Sequence, residues 1–158
     1  MSAFDNTFMQ AAIRLAIDGV KANRGGPFGA VVVKNCQIVG RGENRVTSTN
    51  DPTAHAEVVA IRDACRQLGA FELMGCEIYA SCEPCPMCLA AIYWARIDKL
   101  CYGAAAGDAH AIGFSDQYIR QQFDLPPDQR AVPAIQWMRT EALAAFDAWQ
   151  AKLDRVPY

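Results

Sequence analysis

The chain has 158 residues, of which 52% are hydrophobic and 20% charged. At about 150 residues per domain that length gives one domain, and the composition excludes an intrinsically disordered chain. Fifteen Lys and Arg against seventeen Asp and Glu leave a formal charge of −2, which argues against a general nucleic-acid coat or a membrane-surface binder.

Residues 1–5 hold no basic stretch leading into a long apolar run, and no apolar run approaches the ~18 residues of a membrane span. The sequence therefore predicts no signal peptide, no membrane partner and a cytoplasmic location. Seven cysteines in such a protein point to thiol or metal chemistry rather than to a disulfide framework. Residues 5–23 read as a helix, with Phe8, Ala11, Ala12, Leu15, Ala16 and Val20 at helical spacing and Gly25-Gly26-Pro27 stopping the pattern. Residues 29–34 and 37–42 are strands joined by a short turn at Asn35, a hairpin. Residues 44–53 form a polar loop that ends in a helix entry, Asn50-Asp51-Pro52-Thr53. A helix over 54–68 stops at Gly69. A strand over 77–81, an apolar helix over 85–95, a strand over 99–103 and a short helix over 117–122 follow. Pro126-Pro127 breaks the chain, then residues 134–139 read as a strand and 140–153 as a closing helix. Helices alternating with strands imply crossover connections. The predicted fold is α/β, a three-layer α/β/α sandwich on a mixed sheet of about five strands, with the helix over 85–95 largely buried.

Two segments carry chemistry. The first is His55-Ala56-Glu57, at a predicted helix start. The second is Cys82-Glu83-Pro84-Cys85-Pro86-Met87-Cys88, where a strand gives way to a helix. Together they contain His-x-Glu and Pro-Cys-x-x-Cys, a pairing known as the signature of zinc-dependent deaminases. Cys85 and Cys88, three apart, share one face of a first helical turn. Pro86 suits that turn, where its missing N–H is not needed. The helix macrodipole stabilises thiolates there and favours a metal. His55 would supply a third ligand and leave tetrahedral zinc one open position for water, as catalytic sites require. Glu57 need not ligate and is placed to take a proton from the water. A structural Cys₃His site closed by Cys82 is the competing reading, and it would make the protein a zinc module for protein interaction. Cys36, Cys65, Cys76 and Cys101 read as small core hydrophobes, and His110 as a surface residue in a loop.

With these segments in view, the chain resembles the cytidine-deaminase superfamily, and within it the guanine deaminases of bacteria. The resemblance runs over almost the whole chain. It is carried by Gly25-Gly26-Pro27-Phe28-Gly29-Ala30, Asn44, the run from Asn50 to Glu57, Cys82 through Cys88, Ala91-Ile92-Tyr93-Trp94-Ala95-Arg96, Gly113-Phe114-Ser115-Asp116 and the terminal Tyr158. It implies one Zn²⁺ per subunit on His55, Cys85 and Cys88, with Glu57 as proton shuttle. It implies Asn44 hydrogen-bonding the edge of a purine base, Phe28 packing on its face, Ala56 contacting it through the backbone and Trp94 lining the pocket. Asp116 would meet the amino group being lost, and Tyr158 would close the site. The implied reaction is hydrolytic deamination of a free base, guanine and water giving xanthine and ammonia. Cytosine, a related purine or triazine, and adenosine in tRNA are the alternative substrates. The tRNA reading asks for a basic face that a net charge of −2 does not encourage. The resemblance also implies a single domain over residues 1–158 and a homodimer in which the C-terminal tail, about residues 140–158, crosses to the partner subunit.

Overall fold

The computed structural model describes residues 6–158. Its elements in chain order are α1 (Asn6–Lys21), β1 (Gly29–Lys34), β2 (Gln37–Glu43), α2 (Val46–Thr49), α3 (Ala56–Leu68), β3 (Cys76–Cys82), α4 (Pro86–Trp94), β4 (Lys99–Ala104), α5 (Ala106–Ala111), α6 (Gln117–Asp124), a 3₁₀ turn (Pro127–Gln129) and α7 (Arg139–Ala151). Asp5, with which the predicted first helix opens, lies outside the described residues. The chain divides into two compact units, one up to Asp116 and one from Gln117 to Tyr158. No helix among the described residues is long and apolar enough to cross a membrane.

The first unit holds a four-stranded sheet in the order β2-β1-β3-β4. β1 runs antiparallel to β2 and to β3, while the helical crossover through α4 makes β3 and β4 parallel. Strand alternation sends neighbouring side chains to opposite faces. Val31, Val33 and Tyr79 pack on one face with Phe8 and Ala12 of α1. Ala30, Val32, Ile78 and Ala80 pack on the other with Ala56, Ala60 and Ala64 of α3 and Ile92 of α4. This is the expected three-layer arrangement.

The hairpin between β1 and β2 turns on Asn35 and Cys36, at φ 50° and 60°, the doubly left-handed turn that matches strand twist. Between Val32 and Val33 the register slips by one residue: Val33 faces Ile38 and Val32 faces Gly40, so Val39 is an extra residue, a β-bulge. Beyond it, Gly40 and Gly42 both lie under α3. A Cβ on Gly42 would stand 2.0 Å from the Ala56 carbonyl oxygen, and one on Gly40 2.5 Å from that of Ala60. Glycine on the strand and an alanine every fourth residue on the helix thus bring the two backbones into contact.

Four expectations need correction. Among the described residues the sheet has four strands, not about five. Residues 134–139 join no ladder, although Ile135 and Trp137 alternate as a strand would; alternation makes a strand only where a neighbour completes the hydrogen bonds. The α4 helix is not largely buried: Cys88 and Ile92 are, but Tyr93 and Trp94 are 77% and 70% exposed. Cys36 is no core residue, because it sits exposed in the hairpin turn. The loop holding His110 is a short helix, α5, whose start is fixed by Ala105 N–H donating to Asp108 (2.8 Å) and Ala106 N–H donating to Glu83 (3.0 Å).

In the second unit no residue is buried. Its local order comes from polar contacts: Ala131 N–H donates to the Gln122 side chain at 2.7 Å, and Arg130 Nε donates to the Leu125 carbonyl at 3.1 Å.

Gly42→Ala should destabilise the protein by about 3 kcal/mol, the upper end of overpacking, because the blocking atoms are backbone. Urea denaturation measures this. Gly107→Ala, whose new Cβ meets nothing within 4 Å inside α5, should be neutral or stabilise by up to about 1 kcal/mol.

Candidate active site

His55 is the residue that opens α3 (φ −68°, ψ 155°), and Cys85 opens α4 (φ −66°, ψ 168°), with Pro86 next. Residues at this position usually turn their side chain onto the first helical N–H groups. Neither does so here. Their side chains face each other instead, and His55 Nδ1 lies 3.6 Å from Cys85 Sγ and 3.5 Å from Cys88 Sγ. The three ligand atoms all lie within 4.8 Å of one another. With Zn–N of about 2.0 Å and Zn–S of about 2.3 Å, tetrahedral angles hold nitrogen and sulfur about 3.5 Å apart. One imidazole and two thiols at that spacing fit zinc, and Nδ1 is the ring nitrogen that would bind it.

The electrostatics agree. The Cys85 thiol is held down to about 4, first by the hydrogen bond from Cys88 and then by His55, against the opposing effect of burial. Cys88 is pushed up by its hydrogen bond to Cys85 and by burial. Two thiols this close share one negative charge until a cation neutralises the second, which is the behaviour of a metal site. His55 is raised by its hydrogen bond to Cys85. Glu57, buried on the first turn of α3, is pushed up by burial, while its contact with the Cys88 thiol acts in the opposite sense.

Cys82 stands apart from this group. It is buried at the end of β3, its thiol donates to the Ala105 carbonyl at 3.7 Å, and burial raises it, keeping it neutral. Among the described residues the metal-binding group is His55, Cys85 and Cys88, three ligands rather than four. This disfavours the closed Cys₃His reading.

Asn44 and Phe28 are also drawn together. Asn44 N–H donates to the Phe28 carbonyl at 3.0 Å, and Asn44 Oδ1 accepts from the N–H groups of Gly26 (3.1 Å) and Val46 (3.2 Å). The next residue, Arg45, donates its N–H to the Ala54 carbonyl at 2.9 Å, which ties this strand end to the segment entering His55. Ala56 is buried against β2. Two neighbours were given no role by the sequence. Phe114 meets the Phe28 ring edge-on, with centroids 5.0 Å apart. Glu43, buried beside Asn44, pairs with Arg24 at 2.6 Å and with Arg45 at 3.2 Å. The Gly-Phe-x-Asp run was the signal for Phe114; nothing local marks Glu43. Trp94, six residues beyond Cys88 at the end of α4, is exposed. Asp116 is half-buried at the end of the first unit, and Tyr158, 75% exposed, ends the second.

A crossover sheet with a His/Cys/Cys cluster and an adjoining buried glutamate defines a class. The chain belongs to the family described as the cytidine and deoxycytidylate deaminase zinc-binding region, whose model matches residues 2–104. More narrowly, it is 51% identical over 152 residues to the guanine deaminase of Bacillus subtilis, a match covering 96% of this chain and 97% of that one. The X-ray structure of guanine deaminase from Bacillus subtilis superposes with a TM-score of 0.95 at 49% identity, covering 99% of each chain. A tRNA-specific adenosine deaminase of Haemophilus influenzae is 38% identical over 122 residues, 74% of this chain and 70% of that one.

Cys85→Ala and Cys88→Ala should each lose zinc, whereas Cys82→Ala should retain one zinc per chain. Atomic absorption on the purified proteins decides this, and metal loss from Cys82→Ala would restore the structural-site reading.

Proposed function

We propose that the chain catalyses hydrolytic deamination of guanine, giving xanthine and ammonia. The observation that carries this is the extent of likeness. The family model ends at residue 104, yet the match to guanine deaminase covers 96% of the chain, while the match to the Haemophilus influenzae tRNA deaminase covers 74%. The second unit is therefore shared with the guanine enzyme.

His55, Cys85 and Cys88 hold zinc, and two thiolates offset its charge. Zinc so bound supplies a Lewis acid that brings the pKa of water toward about 7. Glu57 takes a proton from the attacking water as its oxygen joins the ring carbon bearing the amino group. It passes that proton to the ring nitrogen, then takes the remaining proton from the added hydroxyl and gives it to the amine, so that the carbonyl forms, the carbon–nitrogen bond breaks and ammonia leaves. Burial keeps water away from this carboxyl and strengthens its hydrogen bonds.

The base is held by residues of the first unit. Both contacts on Asn44 Oδ1 come from backbone N–H groups, so the amide presents its Nδ2 donor to an acceptor on the base edge. Phe28, braced edge-on by Phe114, offers its ring face for stacking. Ala56 contacts the base through its backbone, Trp94 lines the pocket, and Asp116 meets the departing amino group. Tyr158 brings a ring, a phenol and the terminal carboxylate to close the site.

The protein acts as a homodimer in the cytoplasm, with the tail crossing to the partner. Supporting this, the second unit buries none of its residues while Ile135 and Trp137 are 81% and 80% exposed, more apolar surface than an isolated segment keeps in water. All seven cysteines are free thiols, which suits a reducing compartment.

Ammonia release from guanine, adenine, cytosine, cytidine and adenosine tests the substrate. Guanine should be turned over fastest, and faster turnover of any of the other four would overturn the reading. Glu57→Ala should keep zinc and lower turnover by about 10²–10⁴. Deleting residues 156–158 should spare zinc and thermal stability but reduce kcat/KM for guanine by about 1–3 kcal/mol. Mixing that truncated protein with Glu57→Ala should restore activity if the tail crosses, because one site then combines an intact Glu57 with a donated Tyr158.

A further inference from the structure

We propose that Glu43, through Arg24 and Arg45, is a positioning residue that fixes the base-binding amide of Asn44 and the ring of Phe28. The inference rests on the reading above, in which those two residues hold the base.

Glu43 ends β2 and is 6% exposed. A carboxylate buried to that degree is expensive unless it is paired. Arg24 donates from Nη2 to Oε2 at 2.9 Å, a charge-assisted hydrogen bond, and its Nε stands 2.6 Å from Oε1 as a close ion contact without hydrogen-bond geometry. Arg45 Nη2 reaches Oε1 from the other side at 3.2 Å.

The positions of these three residues in the chain give the group its role. Arg24 immediately precedes Gly25-Gly26-Pro27-Phe28, and Glu43 and Arg45 flank Asn44 on either side. The ion triad therefore joins the glycine loop to the strand end at the place where the two exchange hydrogen bonds. Gly26 N–H meets Asn44 Oδ1 there, and Asn44 N–H meets the Phe28 carbonyl. The packing leaves no slack: a Cβ on Gly25 would lie 2.3 Å from the Asn44 carbonyl oxygen. A shift of the loop thus moves Asn44, and a turn of the Asn44 amide removes the acceptor from Gly26. Glu43 also faces the end of α1, where a Cβ on Gly19 would be 3.5 Å from its own Cβ, so the anchor is built on two rigid elements.

Stability alone gives a weak reason for this arrangement. The side chains of Arg24 and Arg45 are 40% and 49% exposed, and ion pairs open to water add little net stability. An apolar side chain in place of Glu43 would often serve the fold as well. It would not hold the loop and the strand end in one fixed relation.

The test is a double-mutant cycle on the zinc-loaded enzyme, with KM and kcat for guanine, zinc content and melting temperature read for each variant. The variants are Glu43→Ala, Glu43→Gln, Asn44→Ala and the Glu43/Asn44 pairs. Glu43→Ala should raise KM about tenfold with kcat within about threefold of the parent and zinc unchanged. Glu43→Gln, which keeps the shape and one acceptor, should raise KM about threefold. In the Asn44→Ala background neither substitution should raise KM further, because the group it positions is gone. A purely structural role would instead make the effects additive, and additivity overturns the proposal. So does an unchanged KM in Glu43→Ala, or in Glu43→Gln should the alanine variant not fold. If Asn44→Ala raises KM while the Glu43 variants do not, the positioning role alone falls. If Asn44→Ala leaves KM unchanged, the base-binding reading of Asn44 falls and takes the positioning role with it.

Discussion

The backbone contact between α3 and β2 is the constraint on which the rest depends. Gly40 and Gly42 lack the side chains that would hold the helix away, and Ala56, Ala60 and Ala64 present the smallest helical ridge. Interiors are packed too tightly for such a contact to drift, so the height and direction of α3 over the sheet are set within a fraction of a side chain. His55 and Glu57 sit on its first turn and inherit that placement. On the same face α4 packs beside α3 and brings Cys85 and Cys88 from the far side.

A metal shell assembled this way asks little of its loops. Each ligand is within one turn of a helix start, and each helix is locked to the sheet by its own buried residues. The residues proposed to contact the base are built differently. Asn44 and Phe28 lie beyond the ends of strands and are held by hydrogen bonds and an ion triad as well as by the close approach of Gly25 to Asn44. Under the proposed function the metal is thus held at helix starts and the base at strand ends, by different kinds of contact.

The metal site was legible in the sequence because its spacing is local. Cys85 and Cys88 must share one helical turn, and Glu57 must follow His55 by two, whatever the rest of the chain does. The longer helices and the hairpin were legible from periodicity and turn residues for the same reason. Glu43 was not, because it reads as a polar residue at a strand end and its meaning comes from Arg24, nineteen positions earlier and brought near only by the fold. Helix α5 was missed since Ala-Gly-Asp-Ala-His-Ala has no apolar period; Asp108 and a distant Glu83 start it. The supposed fifth strand fails for the converse reason. Its alternation is local, but a strand exists only with a partner, and partnering is a property of the whole fold.

The extra residue at Val39 decides more than a kink. Side chains on a strand have only two choices of side, and each added residue reverses the choice for everything after it. Counted straight from the tight turn at Lys34 and Gln37, Arg41 and Glu43 would lie beneath α3, and the two glycines would face α1. A guanidinium would then occupy the space that the Ala56 backbone needs. With the bulge, the glycines meet α3, Arg41 faces water, and Glu43 turns toward Arg24. One residue thus acts as a parity bit, making a tight hairpin compatible with a helix pressed flat on the same strand.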